Sequence, residues 1–312
     1  MPEDTPALDA RVAQIRDLVN DHRRQAELAR EPRRWNQLCS CMDAIGDAEH
    51  AIDAHAELTD DANTGQLYLA HYGFVQALFL QQDAVANLSR AFGFNDLADC
   101  VREELSDVRG VRNDVAHMTD REQGQRFVGI VQMSMTANSF FRYSFGDFDV
   151  DHGLVDCGHL AGRQHALLGE VLDQVVERLR EDEREHRARF RAHLLADAFH
   201  SSSYSVGKLA EGARHAHDQT AIAFAMGALG SLDRAVQAFA TGLEQRGRYP
   251  GVNASLDDNI GAAREALTRM RELLSAGGGT VDAEAMVLLV REKVGRLEDA
   301  ARSYDRTYAE NP

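Results

Sequence analysis

Apolar residues recur at helical spacing through most of this chain, and that periodicity limits the fold more than any other feature. Residues 8–19 and 35–52 place an apolar side chain at every third or fourth position. The widest apolar stripe lies in residues 66–93 and comprises Leu67, Tyr68, Tyr72, Val75, Leu78, Phe79, Val85, Leu88 and Phe92. Such spacing predicts amphipathic helices that bury one face. With only 5 prolines in 312 residues to interrupt them, these helices predict a mainly α fold.

One segment departs from the helical period. Residues 126–135 and 139–145 are rich in β-branched and aromatic side chains, and Phe141, Tyr143 and Phe145 alternate with polar residues. The three residues between the two runs are few enough for a hairpin. Residues 147–155 predict a third short strand after Gly146. We therefore expect a small antiparallel sheet inserted into a helical protein.

Helical spacing resumes after the sheet and divides the chain further. We expect four segments: a helical bundle at 1–125, the sheet at 126–158, a long helix and a break at 159–200, and a C-terminal helical domain at 201–312. Residues 96–117 and 206–243 each predict one continuous helix. Gly110 lies inside the first of these, where we expect a kink or a close backbone approach.

Charge and cysteine content exclude several classes of protein. The net charge of −16 argues against a broad nucleic-acid-binding face, because phosphate contacts depend on Lys and Arg, although one local site remains compatible with it. The spacing of Cys39 and Cys41 does not suit a zinc knuckle, so we expect reduced thiols. A basic and apolar leader and a membrane-length apolar run are both missing from the sequence. These features predict a cytoplasmic protein with no membrane partner.

The most specific motif is Arg112-Asn113-x-x-x-His117, near the end of a predicted helix. An Arg five residues before a His is expected by chance in this composition, but an Asn directly after that Arg makes a chance match rare. Residues i and i+5 of a helix lie about 140° apart around the axis and about 7.5 Å along it. Long side chains at these positions can therefore converge on a groove beside the helix.

This trio suits RNA cleavage without a metal. A histidine can remove the proton of a ribose 2′-hydroxyl or protonate the leaving 5′-oxygen near neutral pH. An arginine can hold the scissile phosphate through two hydrogen bonds and stabilise its developing charge. An asparagine beside them can orient the phosphate or the imidazole. We therefore assign Arg112, Asn113 and His117 as candidate catalytic residues.

The segment resembles the HEPN (higher eukaryotes and prokaryotes nucleotide-binding) superfamily, whose signature is an Arg, a polar residue that is often Asn, and a His. The resemblance covers residues 66–118 and, more loosely, the helices before them. It implies a HEPN-like helical bundle that acts as a homodimer, with the two motifs at the interface. It also implies a metal-independent endoribonuclease of toxin or phage-defence systems that leaves a 2′,3′-cyclic phosphate. Two positions after the histidine stands Thr119, where toxins controlled by a nucleotidyltransferase antitoxin carry a tyrosine.

Other polar residues are candidates for supporting roles. Asp83 is placed to pair with Arg112 or orient His117, or else to pair with another arginine or face water. Tyr72 is a candidate for base stacking, although core packing is the favoured interpretation. The histidines at 152, 159 and 165 lack the spacing of metal ligands, so we expect neither a metal nor a cofactor.

The leading prediction is a HEPN-like endoribonuclease that meets its RNA substrate only at a local site. The C-terminal helices are then expected to sense a signal, bind a regulatory protein or hold the dimer together. The alternative is a non-catalytic HEPN-shaped interaction protein, or a helical sensor that binds a nucleotide or small molecule in the same cleft.

Overall fold

The computed structural model describes residues 7–59, 61–116, 127–145, 150–215, 217–277 and 280–309. These residues are mainly α-helical, with one small antiparallel sheet, as the sequence predicts. They form two compact units. Unit 1 contains the described residues of Met1–Asp21 and Leu28–Arg180, and unit 2 contains those of His22–Glu27 and Glu181–Pro312. The division between the units at Arg180 falls inside the helix Cys157–Phe190. It does not coincide with any boundary of the four segments predicted from the sequence.

The helices are α1 (Leu8–Val19), α2 (His22–Ala29), α3 (Pro32–Ala56), α4 (Thr64–Ala91), α5 (Asn95–Glu104), α6 (Ser106–Ala116), α7 (Cys157–Phe190), α8 (Ser202–Arg214), α9 (Gln219–Gln245), α10 (Ala254–Ser275) and α11 (Thr280–Ala309). The strands are β1 (Phe127–Ile130), β2 (Ser139–Phe145) and β3 (Val150–Asp156). Short 3-10 turns lie at Gln132–Ser134 and Leu195–Phe199.

Helix α4 is the central helix of unit 1, and its sequence explains both its start and its burial. Asn63 accepts a hydrogen bond from the backbone amide of Gln66, and the Gln66 side chain accepts one from the amide of Asn63. This capping box satisfies two amides that the helix cannot pair internally. Five residues of the predicted stripe are buried in the unit 1 core: Leu67, Val75, Leu78, Val85 and Leu88. The other four, Tyr68, Tyr72, Phe79 and Phe92, are half-buried at the edge of that face.

Two predicted helices are each divided in the structure. The helix expected at 96–117 breaks at Leu105, between α5 and α6, and does not break at Gly110. A side chain at Gly110 would meet open space, so the expected close backbone approach is wrong. The helix expected at 206–243 breaks between α8 and α9, which begins at an Asp218 cap. Apolar spacing continues across both breaks, which is why periodicity alone did not reveal them.

The sheet confirms the predicted antiparallel pairing and the third strand, but the short connection is wrong: β1 ends at Ile130, and eight residues that include the turn at Gln132–Ser134 lead to β2. Its order is β1-β2-β3, all antiparallel, and Phe145 lies opposite both Phe127 and Val150. The side chains of Phe140 and Ser144 point to the buried face, whereas Phe141 and Phe145 lie exposed on the other face. Alternation along β2 thus places one face of the sheet against unit 1.

Unit 2 has a hydrophobic core of its own, built from α8 to α11 and the turn at Leu195–Phe199. Arg246 is 3% exposed, and its guanidinium stacks 4.6 Å from the ring centroid of Phe190. It also donates to the carbonyl oxygens of Gly242 and His193. Burial lowers the pKa of Arg246, and these carbonyl contacts offset part of the cost of burying the cation.

The structure also bears on the cysteines and on the apolarity of the helices. The four cysteines are free thiols, as expected. Within the described part of the chain, no helix combines the length and the apolarity needed to cross a membrane.

Candidate active site

Arg112 and Asn113 lie together in the last turn and a half of α6, and both side chains are half-buried. The Arg112 Nη1 group donates to Oδ1 of Asn113 at 3.1 Å, and Nε donates to Oε1 of Gln76 at 3.1 Å. The guanidinium carbon lies 4.4 Å from the ring centroid of Phe79, a cation–π distance. Three neighbours therefore fix the orientation of this cation. His117 lies outside the described residues.

One face of α4 supplies the opposite wall of this site. Tyr72, Gln76, Phe79 and Asp83 are spaced by three or four residues, so they share a face of the helix. Gln76 contacts Arg112, whereas Asp83 contacts Arg109, one turn earlier on α6. The two helices therefore run in opposite directions along this contact. We call Gln76, Phe79, Asp83, Arg109, Arg112 and Asn113 the Arg112 site.

Asp83 pairs with Arg109, not with Arg112. Of the roles considered for Asp83, the structure therefore shows a pair with a neighbouring arginine. Arg109 also stacks on Phe79, with its guanidinium carbon 4.7 Å from the ring centroid. Two guanidinium groups thus share one aromatic ring, and the Asp83 carboxylate compensates one of the two charges.

Tyr72 is half-buried and lies one turn before Gln76 on the same face of α4. Because α6 runs antiparallel to α4, the end of α6 at Ala116 lies towards the Tyr72 end of this face. The ring lies 5.8 Å from that of Tyr68, centroid to centroid, and burial raises the pKa of its hydroxyl. Tyr72 therefore borders the Arg112 site without contacting Arg112.

A chain of hydrogen bonds connects this site to the interior of unit 1. Arg109 Nε donates to Gln82 at 3.1 Å, Gln82 donates to Gln164 at 2.7 Å, and Gln164 donates to Gln81 at 2.8 Å. Gln81 then donates to the Glu49 carboxylate at 2.6 Å. The three glutamines are at most 1% exposed, so their amides depend on one another for hydrogen bonds.

The direction of this chain is fixed by its two ends. A guanidinium can only donate and a carboxylate can only accept, so each amide between them must accept on one side and donate on the other. Burial acts to raise the pKa of Glu49, but hydrogen bonds from His165 and Gln81 outweigh it and hold that pKa below its usual value. Glu49 is therefore a carboxylate, and the polarised chain holds Arg109 beside Arg112.

The sheet is tied to α6 at the residue after Asn113. Asp114 is 5% exposed and pairs with Arg142 on the buried face of β2. This ion pair positions the end of α6 against the hairpin. The last turn of α6 is thus held by α4 on one side and by β2 on the other, which makes it a rigid place for the motif.

A second group of polar residues lies elsewhere in unit 1. His55 Nε2 lies 3.2 Å from His71 Nδ1, and Cys157 Sγ lies 3.7 Å from the same nitrogen. All three side chains are buried. Burial lowers the pKa of His55 to about 4, with a smaller contribution from His71, and raises that of the Cys157 thiol to about 12.

The histidines considered from the sequence are not part of this group. His152 is exposed on β3 opposite Tyr143, and His165 Nε2 lies 3.4 Å from a Glu49 oxygen. Sequence reasoning missed His55, His71 and the glutamine chain. The available signal was polarity at buried positions, because His71, Gln81 and Gln82 interrupt the apolar face of α4.

Comparison with known proteins adds no relative: no family model matches the chain, and no curated protein or solved structure is significantly similar to it.

Proposed function

We propose that the protein is a HEPN-like, metal-independent endoribonuclease whose active site is built on Arg112, Asn113 and His117. The observation that carries the proposal is the fixed guanidinium of Arg112 in the last turn of α6. Gln76, Phe79 and Asn113 orient it in advance, so binding a phosphate would not require ordering a free side chain. Such preorganised cations stabilise the charge that develops during phosphodiester cleavage.

In this mechanism the Arg112 guanidinium binds the scissile phosphate and Asn113 orients it. His117 takes the proton from the ribose 2′-hydroxyl, whose oxygen then attacks phosphorus, and the resulting imidazolium gives that proton to the leaving 5′-oxygen. The product is a 2′,3′-cyclic phosphate, and no water enters the bond-breaking step. A second copy of the chain would complete a composite site at a homodimer interface, in a bacterial toxin or phage-defence setting in the cytoplasm.

The net charge of −16 limits where RNA can bind. Asp83 pairs with Arg109 and Asp114 pairs with Arg142, and within the motif Arg112 is the residue proposed to bind phosphate. We therefore expect the RNA to be a short single-stranded stretch that enters a confined cleft. We also expect affinity to depend weakly on salt, because few phosphates are contacted.

The test is RNA cleavage by the purified full-length protein, followed by identification of the product ends. Arg112→Ala should reduce the rate by roughly 100-fold or more, the usual cost of losing a group that stabilises transition-state charge. The matched control is Arg102→Ala, which removes an exposed arginine on α5 and should leave the rate unchanged. Assays in EDTA and in metal-depleted buffer separate the chemistry from any effect of chelation on the fold. An inert wild-type protein, or equal rates for both variants, would contradict the proposal.

A second candidate is a non-catalytic helical interaction or sensor protein. The contacts of Arg112 with Gln76 and Asn113 also favour this candidate, because Nε and Nη1 of Arg112 already donate to protein acceptors. Unit 2, with its separate core, would then bind a regulatory partner or signal. Growth arrest on expression that is relieved by Arg112→Ala but not by Arg102→Ala would favour the nuclease over this candidate.

A further inference from the structure

Three potential metal ligands meet in the interior of unit 1, on elements far apart in the sequence. His55 lies in the last turn of α3, His71 in the first third of α4, and Cys157 at the start of α7. Their ligand atoms all lie within 4.8 Å of one another. His71 and Cys157 are at most 1% exposed and His55 is 6% exposed.

Two of the distances between these atoms match those between ligands of tetrahedral zinc. Zinc binds imidazole nitrogen at about 2.0–2.1 Å and thiolate sulfur at about 2.3 Å, so a tetrahedral angle separates two nitrogens by about 3.3 Å and a nitrogen from sulfur by about 3.6 Å. The structure places the two nitrogens 3.2 Å apart and Cys157 Sγ 3.7 Å from His71 Nδ1. The third separation, between the ligand atoms of His55 and Cys157, is at most 4.8 Å, so one ion can bind all three atoms after these two side chains approach each other.

The orientation of His71 is also that of a metal ligand. Its Nε2 group donates to the Thr136 carbonyl oxygen at 3.0 Å, which leaves the lone pair of Nδ1 directed at His55 and Cys157. A hydrogen bond from the distal nitrogen to a backbone carbonyl is the common way in which proteins fix a ligating imidazole. The rings of Phe74 and Phe140 pack against His55 and His71, with centroid distances of 4.3 Å and 4.8 Å.

We propose that His55, His71 and Cys157 bind one Zn²⁺ ion with a structural role. Two imidazoles and a thiolate favour zinc over the hard cations Mg²⁺ and Ca²⁺, which prefer oxygen ligands. The ion would join the end of α3, the body of α4 and the start of α7. Through Thr136 it would also fix the connection that leads into β2. This site shares no residue with the Arg112 site, so the zinc proposal rests on observations separate from those that support the nuclease.

Binding conserves atoms and charge in a simple way. The Cys157 thiol gives its proton to solvent, and the thiolate forms the zinc–sulfur bond. His71 binds through Nδ1 and keeps its proton on Nε2. His55 binds through Nε2, and its N–H proton moves to Nδ1. A solvent molecule or another oxygen donor fills the fourth position. No oxidation or reduction takes place.

The first test measures metal in the full-length protein, expressed with zinc in the medium and purified without chelator. We expect one zinc per chain by elemental analysis, and a thiolate-to-cobalt charge-transfer band when Co²⁺ replaces the zinc. Cys157→Ser should abolish the band and weaken zinc binding more than about 100-fold, since even outer-shell changes cost 10- to 100-fold. Cys41→Ser is the matched control. Cys41, on α3, is a buried free thiol like Cys157 but does not belong to the cluster.

The second test keeps the proposal falsifiable if Cys157→Ser folds poorly. His55→Gln removes one ligand but leaves the thiol, and it should reduce zinc affinity while retaining a weaker cobalt band. Chelation of the wild-type protein should lower the unfolding temperature reported by Trp35, the single tryptophan, which packs against the unit 1 core. Failure of the wild-type protein to take up either zinc or cobalt would overturn the proposal. So would a Cys157→Ser variant that binds the metal with wild-type affinity.

Discussion

Replacing Gln164 by leucine should destabilise unit 1 strongly, although the two side chains are similar in size. Gln164 is 0% exposed and makes three hydrogen bonds. It accepts from Gln82 at 2.7 Å and donates to Gln81 at 2.8 Å and to the Leu78 carbonyl at 3.1 Å. Leucine can make none of them, and water does not reach the site.

The magnitude follows from counting the groups left without a partner. The Leu78 carbonyl keeps the bond that it accepts within α4, so its loss is small. The Gln82 amide donor and the Gln81 carbonyl acceptor are both left unsatisfied, at about 1–3 kcal/mol each. Leucine gains about 1–2 kcal/mol from apolar burial. We expect a net loss of about 3 kcal/mol of unfolding free energy.

Urea denaturation followed by Trp35 fluorescence measures this loss, because Trp35 packs against the unit 1 core. Gln37→Leu, an exposed glutamine on α3, is the control and should change stability by less than about 0.5 kcal/mol. In a double-mutant cycle, Gln82→Leu with Gln164→Leu should cost at least about 1 kcal/mol less than the sum of the single changes. A loss for Gln164→Leu as small as that of the control, or strict additivity, would refute the polarised chain.

Three further changes test other parts of the structure. Burial lowers the pKa of His186 from 6.5 to about 4, so between these values the unfolded chain binds a proton that the folded chain does not. Stability should therefore fall as pH drops from 6.5 towards 4, by on the order of 2 kcal/mol for this half-buried ring, and His186→Gln should remove that part of the slope in circular dichroism melts. Asn63→Ala removes the α4 cap and should cost about 1 kcal/mol by urea denaturation, and an unchanged midpoint would argue against the capping box. Arg142→Met removes the ion pair with the buried Asp114 carboxylate and should cost about 2 kcal/mol by urea denaturation, whereas Arg142→Lys should recover part of that loss.

Much of the helical architecture could be predicted from apolar spacing alone. The apolar residues at helical spacing between Leu8 and Val19 lie in α1, and α4 lies within two residues of its expected bounds. The hairpin and third strand followed from the change of period after residue 126. The break at Leu105 could not be found this way, because Val101, Leu105 and Val108 keep helical spacing across it and all three are buried.

The candidate sites show a sharper limit. Arg112 and Asn113 are adjacent in sequence, so a local motif was enough to find them. The proposed zinc ligands and the glutamine chain depend on contacts between residues far apart in the sequence, such as Cys157 with His71, 86 positions apart. A single sequence carries no direct record of such contacts. It records only that a polar residue occupies a position where the helical period calls for an apolar one.

The most direct test of the proposed function is single-turnover cleavage of a labelled single-stranded RNA in metal-depleted buffer without chelator, with wild-type protein beside His117→Ala. His50→Ala is the control, since His50 is an exposed histidine on α3. We expect a 2′,3′-cyclic phosphate product from the wild type and from His50→Ala, and a rate at least about 100-fold lower for His117→Ala. Cleavage at the wild-type rate by His117→Ala, or no cleavage by any of the three proteins, would contradict it.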